Sequence, residues 1–192
     1  MRKVLALLLS VVMALSLMVT TAWADPVEQD LAGKTVILHT NDVHGEIARY
    51  AKVAALKAEL KARGADVILV DAGDYSQGTI YVSVNKGADA VTMMNAAGYD
   101  VATIGNHEFD YGYEQLMLNM AKANFQVLCA NVSKDGNSIF DANTIIEKGG
   151  MKIGFFGLET PEAADQGQPR PDPGPDLPGC EGYVRCRPGS GG

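Results

Sequence analysis

Asp66-Val67-Ile68-Leu69-Val70, followed at once by Asp71-Ala72-Gly73-Asp74, decides the fold. Four consecutive aliphatic residues without polar alternation read as a short strand buried on both faces, as in a parallel sheet. The polar cluster that closes it holds two carboxylates and a glycine, placed where a strand hands over to a loop. The same arrangement occurs on either side. Upstream, Thr35-Val36-Ile37-Leu38-His39 leads into His39-Thr40-Asn41-Asp42-Val43-His44-Gly45. Downstream, the strand pattern of residues 100–104 leads into Gly105-Asn106-His107-Glu108-Phe109-Asp110.

Helical patterns fill the intervals. Residues 46–63 carry Ile47, Ala51, Ala54, Ala58 and Val53, Leu56, Leu60 at 3–4 spacing, with Gly64 as a stop. Residues 88–97 form a second helix stopped by Gly98, and residues 113–123 a third. A fourth strand is expected at 126–130. Residues 138–147 and 152–158 read as a hairpin turning at Gly149-Gly150. Strand and helix in alternation predict an α/β fold with helices packed on a parallel sheet. Asp42 to Asp74 is 32 residues, and Asp74 to Asn106 is 32 again. Each interval is about one βαβ unit, so successive strands deliver all three clusters to the carboxyl edge of one sheet.

The residue types then point to a chemistry. Asp42 and His44 offer an oxygen and a nitrogen ligand. Asp74 can bridge two cations, and Asn106 offers a neutral carbonyl oxygen. Such a mixed set suits Zn²⁺, Mn²⁺ or a similar divalent ion. Two such ions about 3.5–4 Å apart can activate water and clamp a phosphoryl group for in-line attack. His107 lies beside a ligand, and Asp110 three residues on can hydrogen-bond its imidazole and keep it protonated. Singly, each cluster reads equally well as a turn or a helix cap. In order, evenly spaced and each after a strand, they make a site.

The clusters Asp42-x-His44, Gly73-Asp74 and Gly105-Asn106-His107-Glu108 resemble the signature of the calcineurin-like metallophosphoesterases. The fuller wording resembles the bacterial branch that holds 5′-nucleotidases, UDP-sugar hydrolases and 2′,3′-cyclic-nucleotide phosphodiesterases. The resemblance covers about residues 34–162. It implies the first half of a four-layer αββα domain, with two divalent ions and a nucleotide or other small phosphoester as substrate. In it Asp42 and His44 bind one metal, Asp74 bridges both, Asn106 binds the other, and His107 with Asp110 forms the catalytic dyad. Gly105 and Glu108 shape the loop. Tyr75, Gln77 and Tyr81 lie near the site in sequence without an assigned role, and His39 is expected to be a packed, non-ligand histidine. The family completes its site with further histidines from later in the domain. This sequence holds three histidines, and none follows His107. The expectation is therefore an N-terminal fragment, inactive alone and marginally stable at its last sheet edge. The alternative is a non-catalytic metal- or phosphate-binding fragment.

The flanks are distinct. Arg2-Lys3, an apolar run from Val4 to Val19 and Ala22-Trp23-Ala24 lay out a secretory signal over residues 1–24. The competing reading, a membrane anchor, needs a run of about 20 residues. Export to the periplasm, cell surface or medium follows, with no membrane attachment after cleavage. The chain carries a formal charge of −7, and losing the two positive residues of the signal takes it to −9. Such an acidic surface has no electrostatic footprint for nucleic acid, and a monomer is expected. Cys129 reads as a buried thiol, and Asn131-Val132-Ser133 is a formal glycosylation sequon. Residues 25–160 form the phosphoesterase part. Residues 161–192 hold seven of the eight prolines and few apolar groups, so they are expected to be a disordered or aberrant tail, natural or frame-shifted.

Overall fold

Val67, Ile68 and Leu69 are fully buried, so the central strand is covered on both faces, as its unalternating sequence requires. The computed structural model describes residues 30–160 and the backbone of Arg185–Cys186. The expected signal segment, the remainder of the tail and the side chains of Cys180 and Cys186 lie outside those residues. The described residues from Leu31 onward belong to one compact unit. Among the described residues, no helix is long and apolar enough to cross a membrane.

Four strands, β1 (Thr35–Thr40), β2 (Asp66–Asp71), β3 (Val101–Thr103) and β4 (Gln126–Leu128), pair in parallel in the order β1-β2-β3-β4. Three helices make the crossovers: α1 (Ile47–Ala62), α3 (Ala88–Ala97) and α4 (Tyr113–Met120). A short helix α2 (Ile80–Ser83), absent from the sequence reading, precedes α3. The expected strands and helices are present, with most ends within three residues of the expected bounds; the first hairpin strand, expected from 138, begins at Asn143, because Asn137–Ser138 pairs elsewhere. The α/β class is thus observed.

Register explains the layering. Leu38 pairs with Leu69, Asp71 with Ala102, and Ala102 with Val127. These residues share one face, against which Tyr50, Val91, Met94 and Leu116 pack as the main core. The opposite face carries Ile37, His39, Ile68, Val101 and Leu128. Two further strands, numbered in chain order β7 (Asn143–Lys148) and β8 (Met151–Phe156), form the expected antiparallel hairpin on this side. Gly157 sits against Thr103 and Leu128, and Gly149 against Thr35 and Asp66, so the hairpin crosses the sheet from the carboxyl end of β3–β4 to the amino end of β1–β2. A further small sheet joins β5 (Val132–Lys134), β6 (Asn137–Ser138) and β9 (Arg185–Cys186) in the order β6-β5-β9. The β5–β6 turn at Asp135-Gly136 escapes the sequence reading because its strands are only three and two residues long.

Two expectations are corrected. His39 is exposed, not packed. It lies on the hairpin side of β1, an edge strand, where Ile37 is also 46 % exposed. The buried stripe of α1 is not the one read from its apolar residues either. Leu56 and Ile47 are exposed, while Tyr50 and Lys57 are buried. The Lys57 stem packs among apolar groups, and its ammonium donates to the Gly98 carbonyl and, at 2.9 Å, to Asp100 Oδ2. Asp100 also accepts the Leu69 N–H at 2.8 Å. A charged residue on the core side of a helix is tolerated because both charges find partners.

Candidate metal centre

The loops after β1, β2 and β3 meet at the carboxyl edge of the sheet and are laced by backbone hydrogen bonds. Asp42 N–H donates to the Gly73 carbonyl (3.0 Å), His44 N–H to the Asp74 carbonyl (2.9 Å) and Thr79 N–H to the His44 carbonyl (3.0 Å). Asp42, His44 and Asp74 all have positive φ, at 51°, 48° and 62°. Left-handed backbone costs a non-glycine residue of the order of 1 kcal/mol, and such residues concentrate at functional sites. Here three of them are three of the four residues that the sequence marks as ligands.

Their side chains converge. One ligand atom from each of Asp42, His44 and Asp74 lies within 4.8 Å of the others. His44 Nε2 is 3.8 Å from Asp42 Oδ1, while its Nδ1 is 3.0 Å from the Gln77 carbonyl. A backbone carbonyl only accepts, so Nδ1 carries the proton and Nε2 presents its lone pair to the carboxylates. Gln77, adjacent to the site but unassigned by the sequence, thus fixes the tautomer through its main chain. Two carboxylates and an imidazole with a free lone pair fit a divalent cation. Asn106 opens a 3₁₀ turn, Asn106–Phe109, beside them.

His107 comes from the same turn. Its N–H donates to Asp74 Oδ1 at 3.0 Å, and its Nδ1 is 2.9 Å from Asp110 Oδ2. Its ring lies edge-on to that of His44 with centroids 5.0 Å apart. Partial burial works against a charged imidazole. The hydrogen bond and charge of Asp110, with Asp74 and Glu108 behind it, outweigh that and hold the His107 pKa above its ordinary value. The structure therefore brings all six sequence-marked residues to one edge, and leaves His39 on the exposed side of β1.

Three buried acids surround this group. Glu108, 2 % exposed, accepts four backbone N–H bonds. Burial raises its pKa, against those bonds. Asp71 accepts from Thr40 Oγ1 and the Gly73 N–H, and burial pushes it up to about 7. Glu159, beyond β8, is missed by the sequence reading, because no motif surrounds it. It is 4 % exposed, its Oε1 accepts the Thr160 N–H, and its Oε2 has no partner among the described residues. Asn131 holds the Glu159 main chain at both N–H and carbonyl, so the amide of the sequon is buried and engaged. Cys129 is buried as expected, which raises its thiol to about 11.

Burial pushes the Glu159 carboxyl from 4.5 up to about 8. Between those values the unfolded chain releases the proton and the folded chain keeps it, so stability falls as pH rises through that window. Glu159→Gln removes the titration. In metal-free protein it is expected to match the parent near pH 4 and to exceed it by about 2 kcal/mol or more at pH 8. Urea melts at the two pH values check this; a difference independent of pH refutes it.

Comparison with known proteins gives the family. The family model for calcineurin-like phosphoesterases matches residues 35–176. A snake venom 5′-nucleotidase of Gloydius brevicauda is 37 % identical over 158 residues, covering 70 % of this chain and 27 % of its own length. The 5′-nucleotidase of Vibrio vulnificus is 34 % identical over 163 residues, covering 78 % and 29 %. The crystal structure of a 5′-nucleotidase precursor from Thermus thermophilus superposes with a TM-score of 0.64 at 28 % identity, over 80 % of this chain and 32 % of that one. That of Haemophilus influenzae NAD nucleotidase superposes with a TM-score of 0.62 at 27 % identity, over 80 % and 29 %. The chain belongs to the calcineurin-like phosphoesterase family, and it spans about three-tenths of the length of these relatives.

Proposed function

We propose that this chain supplies the metal-holding part of an exported phosphoester hydrolase acting on nucleotides. The convergence of Asp42, His44 and Asp74 within 4.8 Å at the carboxyl ends of adjacent parallel strands carries the reading. The names of these similar proteins, all nucleotidases, support a nucleotide as substrate. The signal-like residues 1–24 support export, residues 25–160 carry the phosphoesterase motifs, and 161–192 are a proline-rich stretch of different composition.

Two divalent ions bound here would polarise the phosphoryl oxygens and provide a nucleophile from water. The chain's own residues have separable roles. Asp42 and His44 hold one position, Asp74 reaches both, and Asn106 serves the second. His107, kept protonated by Asp110, donates from Nε2 to the phosphoryl or leaving oxygen as charge develops there. His44 and His107 stand in T-shaped contact, so a metal ligand and a hydrogen-bond donor would open onto the same site.

Four donor residues shared by two ions leave both short of ligands from protein. Purified chain is therefore expected to bind Mn²⁺ or Zn²⁺ saturably, reversibly with EDTA, while releasing phosphate from a nucleoside monophosphate at close to the background rate. Absence of saturable metal binding sinks the proposal. Robust metal-dependent turnover shows that the chain completes the site by itself. Metal binding without turnover is also what a non-catalytic metal-binding fragment gives, and the missing donors favour that second reading for the isolated chain.

A further inference from the structure

We infer that Glu108 is a positioning residue for this metal centre: its carboxylate staples the loop after β2 to the loop after β3 and so sets the backbone from which Asp74 reaches the ions. The inference rests on the metal-site reading of Asp42, His44 and Asp74.

The geometry is specific to the site. Oε2 accepts the N–H of Asp74 at 2.8 Å and that of Gly105 at 2.6 Å. Oε1 accepts the N–H groups of Tyr75 and Ser76, both at 2.9 Å. Three of the four donors belong to the bridging residue and the two after it. The fourth belongs to the residue before Asn106. One buried side chain thus replaces the water that would otherwise satisfy two loops, and it does so with charge-assisted bonds. The brace is reciprocal, because the His107 N–H holds Asp74 Oδ1 from the other side. Asp74 is fixed at both ends, by its own N–H on Glu108 and by its carboxylate on the turn that carries Glu108.

Two features separate this from an ordinary buried acid. First, Asp74 has φ of 62°, and its N–H bond to Glu108 and the two that follow hold the chain in that conformation. Second, the fourth bond holds Gly105, where an added Cβ would overlap Asp74 Oδ1, so the same carboxylate also fixes the backbone against which the Asp74 side chain rests.

Glu108→Gln keeps the shape but turns one oxygen into an NH₂, which faces two N–H donors where an acceptor stood. The expected result is Co²⁺ affinity about 10- to 100-fold weaker, the range for partners that orient metal ligands, with altered d–d bands. Leu116→Ala, a core truncation at a 1 % exposed helix residue outside both loops in sequence, is expected to lower the melting temperature and leave affinity and spectrum unchanged. Asp74→Ala provides the reference. If the parent chain binds no Co²⁺, or Asp74→Ala binds it equally well, the metal-site reading fails and the inference with it. If Asp74→Ala loses Co²⁺ while Glu108→Gln matches the parent in affinity and spectrum, the inference alone fails. Should Glu108→Gln not fold, amide exchange in the parent decides. The N–H groups of Asp74, Tyr75, Ser76 and Gly105 are expected to exchange as slowly as those of β2, and exchange at exposed-loop rates overturns the staple.

Discussion

Asp74→Ala is expected to abolish metal binding while leaving the fold intact. Asp74 both joins the cluster with Asp42 and His44 and is held by the third loop, through the His107 N–H. Its loss removes the carboxylate placed to serve two ions. It also leaves the His107 N–H without its acceptor. The remaining pair, Asp42 and His44, is a single-carboxylate site half open to solvent, with side chains 60 % and 35 % exposed. Two exposed ligands hold a divalent ion weakly, so affinity should fall at least about 100-fold, beyond the range for residues that merely orient ligands. The fold should tolerate the change. Asp74 contributes no buried apolar surface, and the left-handed residue costs alanine of the order of 1 kcal/mol. Isothermal titration with Mn²⁺ beside a thermal melt checks both halves. Retained affinity would remove Asp74 from the site.

The second large effect comes from a residue with no side chain. Gly105→Ala is expected to weaken metal binding at least about tenfold and to cost about 1–3 kcal/mol, as overpacking does. A Cβ at Gly105 would overlap Asp74 Oδ1 and lie 2.9 Å from its Cγ. The group that must move is therefore the bridging carboxylate, while its backbone stays pinned by Glu108. Gly105 itself lies in ordinary extended backbone, at φ −109°, so its substitution is a steric change, whereas Gly112→Ala shows what a conformational cost alone does. Gly112 has φ of 85°, and a methyl group added there would meet nothing within 4 Å. That variant should lose stability but no metal. Comparing Mn²⁺ affinities of the two variants settles it, and equal affinities would dismiss the steric account of Gly105.

Much of this site is legible in the sequence because its signals are local. A strand followed by an acid or amide ligand, three times at equal spacing, needs only parallel pairing to become a cluster, and Leu38↔Leu69 and Asp71↔Ala102 supply that register. The resemblance carried by residues 105–110 adds the dyad, and His107 Nδ1 does meet Asp110. What is not legible depends on distant contacts. Lys57 is no part of the apolar pattern read in α1, and its burial depends on Asp100, which lies in another crossover. His39 reads as packed because strand patterning does not tell that β1 is an edge strand, whose residues on the hairpin side stay open to solvent. Glu159 carries no motif, and its burial comes from pairing of its main chain with Asn131, 28 residues away. Glu108 reads as loop-shaping, but four donors from two loops emerge only in three dimensions.

The left-handed backbone of Asp42, His44 and Asp74 bears on how such a sequence changes over time. Each position is held in a conformation that glycine adopts freely and these residues do not. Replacement by glycine would relax the backbone and erase a ligand in the same step. Under selection for folding alone, drift runs downhill toward a more durable and chemically silent protein. Two acids and an imidazole held in the strained state are thus a record of use, written in the one place where stability argues against them.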